Sequence, residues 1–128
     1  MRATSPEQMY QVLADAFNTA DLPRLMTLYE SNAALVAQPG QVIAGTEQIR
    51  AALQGFLDLN GRISVQIKEV VQSGDLALAC TSWSVSGTGA DGQPVTLAGI
   101  STDVLRGQAD GDWRYAIDQP WGDQMTAP

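Results

Sequence analysis

Residues 62–80 read RISVQIKEVVQSGDLALAC, and this stretch decides the fold. Alternate residues from Ile63 to Ile67 are apolar, which is the period-two pattern of a strand with one buried face. Gly74 begins a turn signal, and a second apolar strand starts at Leu76. Because the apolar residues before this stretch follow a helical spacing, the chain predicts helices first and a meander of strands after them.

Three helices are predicted in the N-terminal half. Residues Ser5 to Gln8 form a capping box with proline at the first helical position, which predicts a helix running to about Thr19. Asp21 is the expected cap of a short second helix. A third helix is predicted to begin near Gly45.

The strands are predicted at 33–37, 62–73, 76–87, 95–106 and 113–119. Together with the helices they indicate the α+β class, with a strongly curved antiparallel sheet that three N-terminal helices cover. Since a long sheet must curl, we expect a pocket between its concave side and the helices. A cavity of roughly 300 Å³ or more would suit a small organic ligand.

Length and charge limit the classes of partner. The 128 residues predict a single domain over 1–128, with a structured core at about 5–122. Fourteen acidic residues against seven basic ones give a formal net charge of -7. This charge repels polyanions, so we expect neither nucleic acid nor an anionic membrane as partner.

Cysteine and histidine counts narrow the chemistry. The chain has one cysteine, Cys80, and no histidine, so an internal disulfide, a His-based triad and a His-ligated zinc have no basis. The acids are scattered singly, and no glycine-rich phosphate loop precedes a helix. We therefore expect no metal and no cofactor. With no signal sequence or transmembrane stretch, the predicted location is the cytoplasm.

Strand parity predicts which side chains face the pocket. If the last two strands form a hairpin at Asp110-Gly111 without a bulge, one parity class of each strand points inward. The expected inner set is Ile100, Thr102, Val104, Trp113, Tyr115, Ile117, Gln119 and Trp121, and the outer set is Ser101, Asp103, Arg114 and Asp118. A bulge would invert the assignment.

The strand at 76–87 leaves its orientation open. One face carries Ala77, Ala79, Thr81, Trp83 and Val85, and the other carries Leu78, Cys80, Ser82, Ser84 and Ser86. If the serine-rich face points inward, the cavity is partly polar and Trp83 is an anchor of a dimer interface.

Several segments in their order resemble the nuclear transport factor two-like superfamily, and most closely its SnoaL-like and ketosteroid isomerase-like bacterial branch. The segments that carry the resemblance are residues 28–33 (LYESNA), 45–50 (GTEQIR), 74–77 (GDLA) and 111–118 (GDWRYAID). The resemblance covers about residues 5–122. It implies a cone-shaped fold with a pocket, and a homodimer formed through the outer side of the sheet.

The same resemblance argues against the isomerase mechanism. Ketosteroid isomerases place a basic aspartate before a proline, and the equivalent residue here is Gln38, which cannot accept a proton at neutral pH. Their oxyanion donors, a tyrosine on the first helix and a protonated aspartic acid on a late strand, fall at Leu13 and Thr102. SnoaL-like cyclases also rely on a pocket acid, and the sequence places none at a matching position. Asp118, just before Gln119-Pro120, is a possible catalytic acid, but its parity points outward beside Arg114, which favours a carboxylate that contacts a partner or fixes a loop.

Two hypotheses follow. The first is a protein that binds a small hydrophobic or aromatic molecule, with or without isomerase, cyclase or hydratase activity. The second is a non-catalytic homodimerisation module with an unused pocket. For the first, the predicted ligand-binding residues are Leu13, Phe17, Tyr29, Gln38, Phe56, Thr102, Tyr115, Ile117, Gln119 and Trp121. Aromatic residues at helical spacing also fill ordinary cores, so this set competes with simple packing.

Overall fold

Helices precede most of the strands, as the hydrophobic pattern predicts. The structure is a computed structural model that describes residues 2–125. Its elements are α1 (Pro6–Asn18), α2 (Leu22–Met26), β1 (Tyr29–Gln38), β2 (Gln41–Ala44), α3 (Thr46–Leu57), β3 (Arg62–Ser73), β4 (Leu76–Thr88), β5 (Pro94–Gly107), β6 (Trp113–Asp118) and a 3₁₀ turn at Gly122–Gln124.

The strands form one six-stranded sheet in the order β2-β1-β6-β5-β4-β3. The α+β class and the curved sheet under three helices are confirmed. The sheet is mixed, however, because β1 and β6 run parallel while every other neighbouring pair is antiparallel. The first strand and the last strand of the chain therefore lie side by side.

The helix starts follow the capping signals. The Ser5 hydroxyl accepts a hydrogen bond from the backbone N–H of Gln8 at 3.2 Å, and the Asp21 carboxylate accepts one from Arg24 at 3.1 Å. Gly45 precedes α3 with a φ of 86°, a conformation that favours glycine. These contacts fix where each helix begins and therefore which face it turns to the sheet.

The chain between α2 and α3 is more ordered than the sequence predicts. The expected strand at 33–37 extends over all of β1, and the turn at Pro39-Gly40 leads into β2, which the hydrophobic pattern did not predict. β2 is an edge strand of four mostly exposed residues, so it carries little apolar signal.

The connection between β5 and β6 sets the inner face of both strands. Gly107 lies opposite Trp113 and Leu105 opposite Tyr115, so five residues connect the strands in place of the expected two. This shifts β5 by one position and brings Ser101 and Asp103 inside.

A bulge in β6 then changes its parity. Tyr115 lies opposite Leu105, but Ile117 lies opposite Val104, which leaves Ala116 as an extra residue. After the bulge Ile117 points outward and Asp118 points inward. The predicted inner positions of Ile100, Thr102, Val104 and Ile117 and the predicted outer positions of Asp103, Ser101 and Asp118 are therefore wrong.

The core lies between the helices and the inner face of the sheet. The orientation of β4 is now decided: Ala77, Ala79, Thr81, Trp83 and Val85 are buried, and the serine-rich face is the outer one. Trp83 thus belongs to the interior and is not an anchor on the outer surface. No helix within residues 2–125 is both long enough and apolar enough to cross a membrane.

Candidate functional site

A cavity of about 80 Å³ lies between the three helices and the inner face of the sheet. It is smaller than the expected 300 Å³ because large rings occupy much of the concave space. Its lining residues are Tyr10, Leu13, Phe17, Leu25, Tyr29, Leu35, Leu53, Phe56, Ile63, Val65, Thr81, Trp83, Val85, Ser101, Asp103, Tyr115, Asp118 and Pro120. Most of them are apolar, and the polar groups come from a few positions on α1 and the central strands.

Two carboxyl groups lie at the closed end of this cavity. Asp103 on β5 is 1% exposed and Asp118 on β6 is 8% exposed. In contrast Leu13, Phe56 and Ile63 on the walls are half-buried, so the cavity opens toward α1, α3 and β3. A ligand that enters from this side reaches the carboxyl pair last.

Asp103 accepts three hydrogen bonds. The Tyr10 hydroxyl donates to its Oδ2 atom at 2.6 Å, the Ser101 hydroxyl donates to the same atom at 2.9 Å, and the Gln119 backbone N–H donates to Oδ1 at 2.9 Å. Ser101 also bonds to the Thr81 hydroxyl at 2.6 Å. A hydroxyl chain from β4 through β5 therefore ends on this carboxyl.

Asp118 has fewer partners. The Tyr29 hydroxyl donates a hydrogen bond to its Oδ2 atom. The Tyr29 ring lies 4.9 Å from the Tyr115 ring, and Tyr10 meets Tyr115 edge-on at 6.3 Å, measured between centroids. The three tyrosines thus form a cluster around the carboxyl pair, and the aromatic contacts hold the two donating hydroxyls in place.

Burial raises the pKa of both carboxyls. For Asp103 desolvation acts first and the charge of Asp118 second, and they hold its pKa well above the usual range. Burial also raises the pKa of Asp118, although its hydrogen bonds with Tyr29 and Asp103 act in the opposite direction. Two negative charges that face each other in a buried site repel, so the pair favours states that keep a proton.

The tyrosines are held neutral. Burial and the neighbouring carboxyls raise the pKa of Tyr10, Tyr29 and Tyr115 above the ordinary value of 10.0. Each phenol therefore stays a hydrogen-bond donor across the physiological pH range. The closed end of the cavity combines neutral donors with a carboxyl pair that can give or take a proton.

A tryptophan pair closes the cavity beside Pro120. The Trp83 indole N–H donates to the Pro120 carbonyl at 2.7 Å, and its ring lies 5.0 Å from that of Trp121. Gly99 makes this approach possible, because a Cβ there would lie 2.9 Å from the Pro120 carbonyl oxygen and 3.1 Å from the Trp83 nitrogen. The segment after β6 is thereby fixed across β5.

Five of the predicted ligand-binding residues line the cavity: Leu13, Phe17, Tyr29, Phe56 and Tyr115. Gln38 lies instead in an open groove beside α3, bounded by Ala37, Gln38, Ala52, Gly55, Phe56, Leu59 and Leu97, which we call the α3 groove. Thr102 lies on the outer face because the register of β5 is shifted by one residue, and Ile117 lies there because of the bulge at Ala116. Gln119 and Trp121 follow β6 and line neither space.

Gln119 and Trp121 have structural contacts instead. The Gln119 side-chain oxygen accepts a hydrogen bond from the Trp121 backbone N–H at 2.9 Å. The indole of Trp121 donates to the Ala37 carbonyl at 3.2 Å. These contacts hold the segment after β6 against β1. Both residues therefore have a structural role next to the cavity and do not line it.

The predicted ligand-binding set leaves out five polar residues that line the cavity, namely Tyr10, Asp103, Asp118, Ser101 and Thr81. Leu13 lies on the cavity wall and Thr102 on the outer face, and the nearby phenol and carboxyl of the cavity come from Tyr10 on α1 and Asp103 on β5. A usable signal for Asp103 was its shared parity with Val95, Leu97 and Leu105 in the same strand.

No three histidine, cysteine, aspartate or glutamate side chains within residues 2–125 group in a way that could hold a metal ion.

The family model of the SnoaL-like domain matches residues 10–116. The chain belongs to the SnoaL-like domain family. This confirms the resemblance drawn from the sequence segments. A search of curated proteins gave no match.

Solved structures support the same fold. A ketosteroid isomerase-like protein from Erwinia carotovora atroseptica is 26% identical, with a TM-score of 0.70 and 88% of each chain covered. A conserved protein from Planctomyces limnophilus is 21% identical, with a TM-score of 0.76 and 88% of each chain covered. A protein from Xanthomonas campestris, provisionally named a calcium/calmodulin dependent protein kinase II association domain, is 18% identical; its TM-score is 0.72, and the match covers 88% of this chain and 81% of that one.

Proposed function

We propose that this SnoaL-like protein binds a small organic molecule in its cavity, with a ligand oxygen at the Asp103–Asp118 pair. The observation that carries the proposal is the burial of two carboxyl groups at the closed end of an otherwise apolar space. Buried acids cost free energy unless they have partners, and here three hydroxyls and a backbone N–H supply them. Such a cluster is typical of a site for a polar ligand group.

The same pair is equipped for acid–base chemistry. A protonated carboxyl beside an ionised one can donate to a ligand carbonyl while the other accepts a proton from carbon or water. Gln38 cannot take the base role of the isomerases, and it lies outside the cavity, so Asp103 and Asp118 would carry both roles. We extend the proposal to metal-free proton transfer of the isomerase, cyclase or hydratase type.

Titration calorimetry with cyclopentanone tests the ligand proposal, and methylcyclopentane serves as the matched hydrocarbon. We expect the ketone to bind at least tenfold more tightly, because only the ketone can accept a hydrogen bond from the carboxyl pair. Asp118→Leu, which keeps the branching of the side chain but replaces its oxygens with methyl groups, should remove this preference. Asp118→Asn should retain binding with a weaker pH dependence, because only Asp103 then titrates. Asp58→Leu on the exposed end of α3 is the control. Equal affinity for ketone and hydrocarbon would contradict the proposal.

A second candidate function, homodimerisation through the outer sheet face, has its own support. Val71, Leu78, Val104 and Ile117 lie opposite one another on successive strands β3 to β6. Val71 is 53% exposed, Leu78 48% and Ile117 43%. A continuous apolar row in water is typical of an interface, and we call it the outer row.

Sedimentation tests the dimer at micromolar concentration. We expect about twice the chain mass of 13.6 kDa for the wild type. Ile117→Asp should give the monomer, because a charge in the outer row cannot be buried without a partner. Ser64→Asp, on the same face but outside the outer row, should leave the dimer intact. A wild-type monomer would contradict the assignment.

We also propose a cytoplasmic location, since a single cysteine gives the chain no use for an oxidising compartment. The net charge of -7 supports the proposal that nucleic acid and anionic membranes are not its partners.

A further inference from the structure

Arg114, on the outer face of β6, has no partner for its charge. Its Nε atom is buried and makes no hydrogen bond with any residue from 2 to 125. Four ion pairs join arginines to acidic residues in this part of the chain, and Arg114 is in none of them. A buried donor without an acceptor costs free energy, so the guanidinium is suited to an acceptor from another molecule.

The residues around Arg114 do not neutralise it. Arg106 lies directly opposite on β5, so two like charges meet on the outer face. The Glu30 carboxylate accepts hydrogen bonds from Arg106 at 3.1 Å and from Gln108 at 2.9 Å, and its ion pair is with Arg106. Two cations therefore share one anion, and the site lacks a second carboxylate.

A free carboxylate is available on the same face. Glu69 on β3 lies opposite Cys80, which belongs to the outer face of β4. The Glu69 side chain is exposed, and it takes part in none of the ion pairs within residues 2–125. The outer face thus presents one unpaired cation and one unpaired anion on different strands.

Arg114 and Glu69 are placed symmetrically about the middle of the outer row. Along the strands, Arg114 is level with Arg106 and Glu69 is level with Thr102, two residues to either side of Val104. Across the sheet, β6 and β3 lie equally far from the gap between β5 and β4. The two charged positions are therefore separated by about 13 Å along the strands and about 14 Å across them.

A second copy of the chain can use this symmetry. When its outer face packs on the first with the strands crossing at about 90°, a two-fold axis in the interface exchanges the positions of Arg114 and Glu69. Each Arg114 then faces Glu69 of the second copy, and the contact occurs twice. The two outer rows cross at their middle, so the apolar side chains there are covered.

We propose that Arg114 binds Glu69 of a second copy and that this ion pair sets the angle at which the two sheets pack. The inference rests on the proposed homodimer and adds the charges that orient it. A chain with a net charge of -7 repels its own copies. Two specific ion pairs oppose this repulsion and favour one orientation over the others.

Charge reversal, followed by sedimentation over a range of concentrations, tests this inference. Arg114→Glu places like charges face to face, so the dissociation constant of the dimer should rise at least about tenfold. Glu69→Arg should weaken the dimer similarly, although it lowers the net negative charge of the chain. The double variant, with Arg114→Glu and Glu69→Arg together, restores the pair and should return the dissociation constant to within about threefold of the wild type.

Arg62→Glu is the matched control. It makes the same change of charge at an exposed residue of the outer face, opposite Ser86 and far from the outer row. It should dissociate as the wild type does. Equal dissociation constants for Arg114→Glu and Arg62→Glu, or a double variant as weak as the single ones, would overturn the inference and leave the dimer in place. A monomeric wild type at micromolar concentration would contradict the proposed dimer itself, and the inference with it.

Discussion

The two faces of strands β5 and β6 reverse the usual arrangement of a sheet. The inner face buries Asp103 and Asp118, whereas the outer face exposes Ile117 and leaves Val104 half-buried beside it. A strand selected for stability alone would place these groups the other way round. The difference supports the two proposals made above, a site for a polar ligand group on the inner face and an interface on the outer face.

The largest expected effect is on the free energy of unfolding, when a large side chain on the inner face is truncated and the result is compared with a truncation on the outer face. Leu105→Ala removes a side chain with no exposure and should lower the free energy of unfolding by about 2–5 kcal/mol. Ile117→Ala on the outer row should cost less than about 1 kcal/mol in the monomer, since its side chain is already in water. Urea denaturation at two protein concentrations measures both.

Concentration separates the two effects further. If the outer row is an interface, the cost of Ile117→Ala grows with protein concentration, because dimerisation contributes to stability. The cost of Leu105→Ala should not change. Similar costs for the two substitutions at every concentration would remove the contrast between the faces.

A smaller effect is expected from pH. An acid whose pKa is raised by folding stabilises the folded state fully below the unfolded pKa near 3.8, and this contribution is lost as pH rises through the raised pKa. The free energy of unfolding should therefore fall from about pH 4 upward, by about 1.4 kcal/mol for each unit of pKa elevation.

Asp118→Asn tests the origin of this slope. It removes one titrating group and its repulsion of Asp103, so the dependence on pH should become flatter. Asp58→Asn, at an exposed acid, should retain the wild-type slope. A wild type whose stability rises from pH 4 to pH 7 would show that the pair is ionised without cost.

The smallest effect compares two serines. Ser101→Ala removes the hydroxyl that links Thr81 to Asp103 and should cost about 1 kcal/mol, with a further rise in the pKa of Asp103. Ser84→Ala on the outer face of β4 should change stability by less than about 0.5 kcal/mol. Denaturation curves of the two variants at neutral pH check the difference, and equal costs would argue against a special role for the inner hydroxyl chain.

Much of the fold follows from short-range signals. Helix caps at Ser5 and Asp21, period-two alternation after Arg62 and the turn glycines depend on neighbouring residues only, so the pattern locates them well. The parallel pairing of β1 with β6 joins distant segments, and no local signal encodes it.

The candidate site was harder to predict for a related reason. The extra residue Ala116 reverses the side of the sheet to which the later side chains of β6 point. The five-residue connection between β5 and β6 shifts the register of β5 by one position and so reverses the orientation of its side chains. The aromatic walls were found because large rings belong inside under either register. The carboxyls were misplaced because their predicted orientation assumed a two-residue hairpin and no bulge.

The pairing of β1 with β6 constrains the order in which the chain can fold. Tyr29 pairs with Tyr115, so the middle of the sheet cannot close until the chain has been synthesised through Tyr115. The hairpins of β3 to β5 can form earlier from contiguous sequence, whereas the carboxyl pair is assembled only when the final strand docks. Refolding should accordingly be slow for a protein of this length, as expected where contacts span most of the chain.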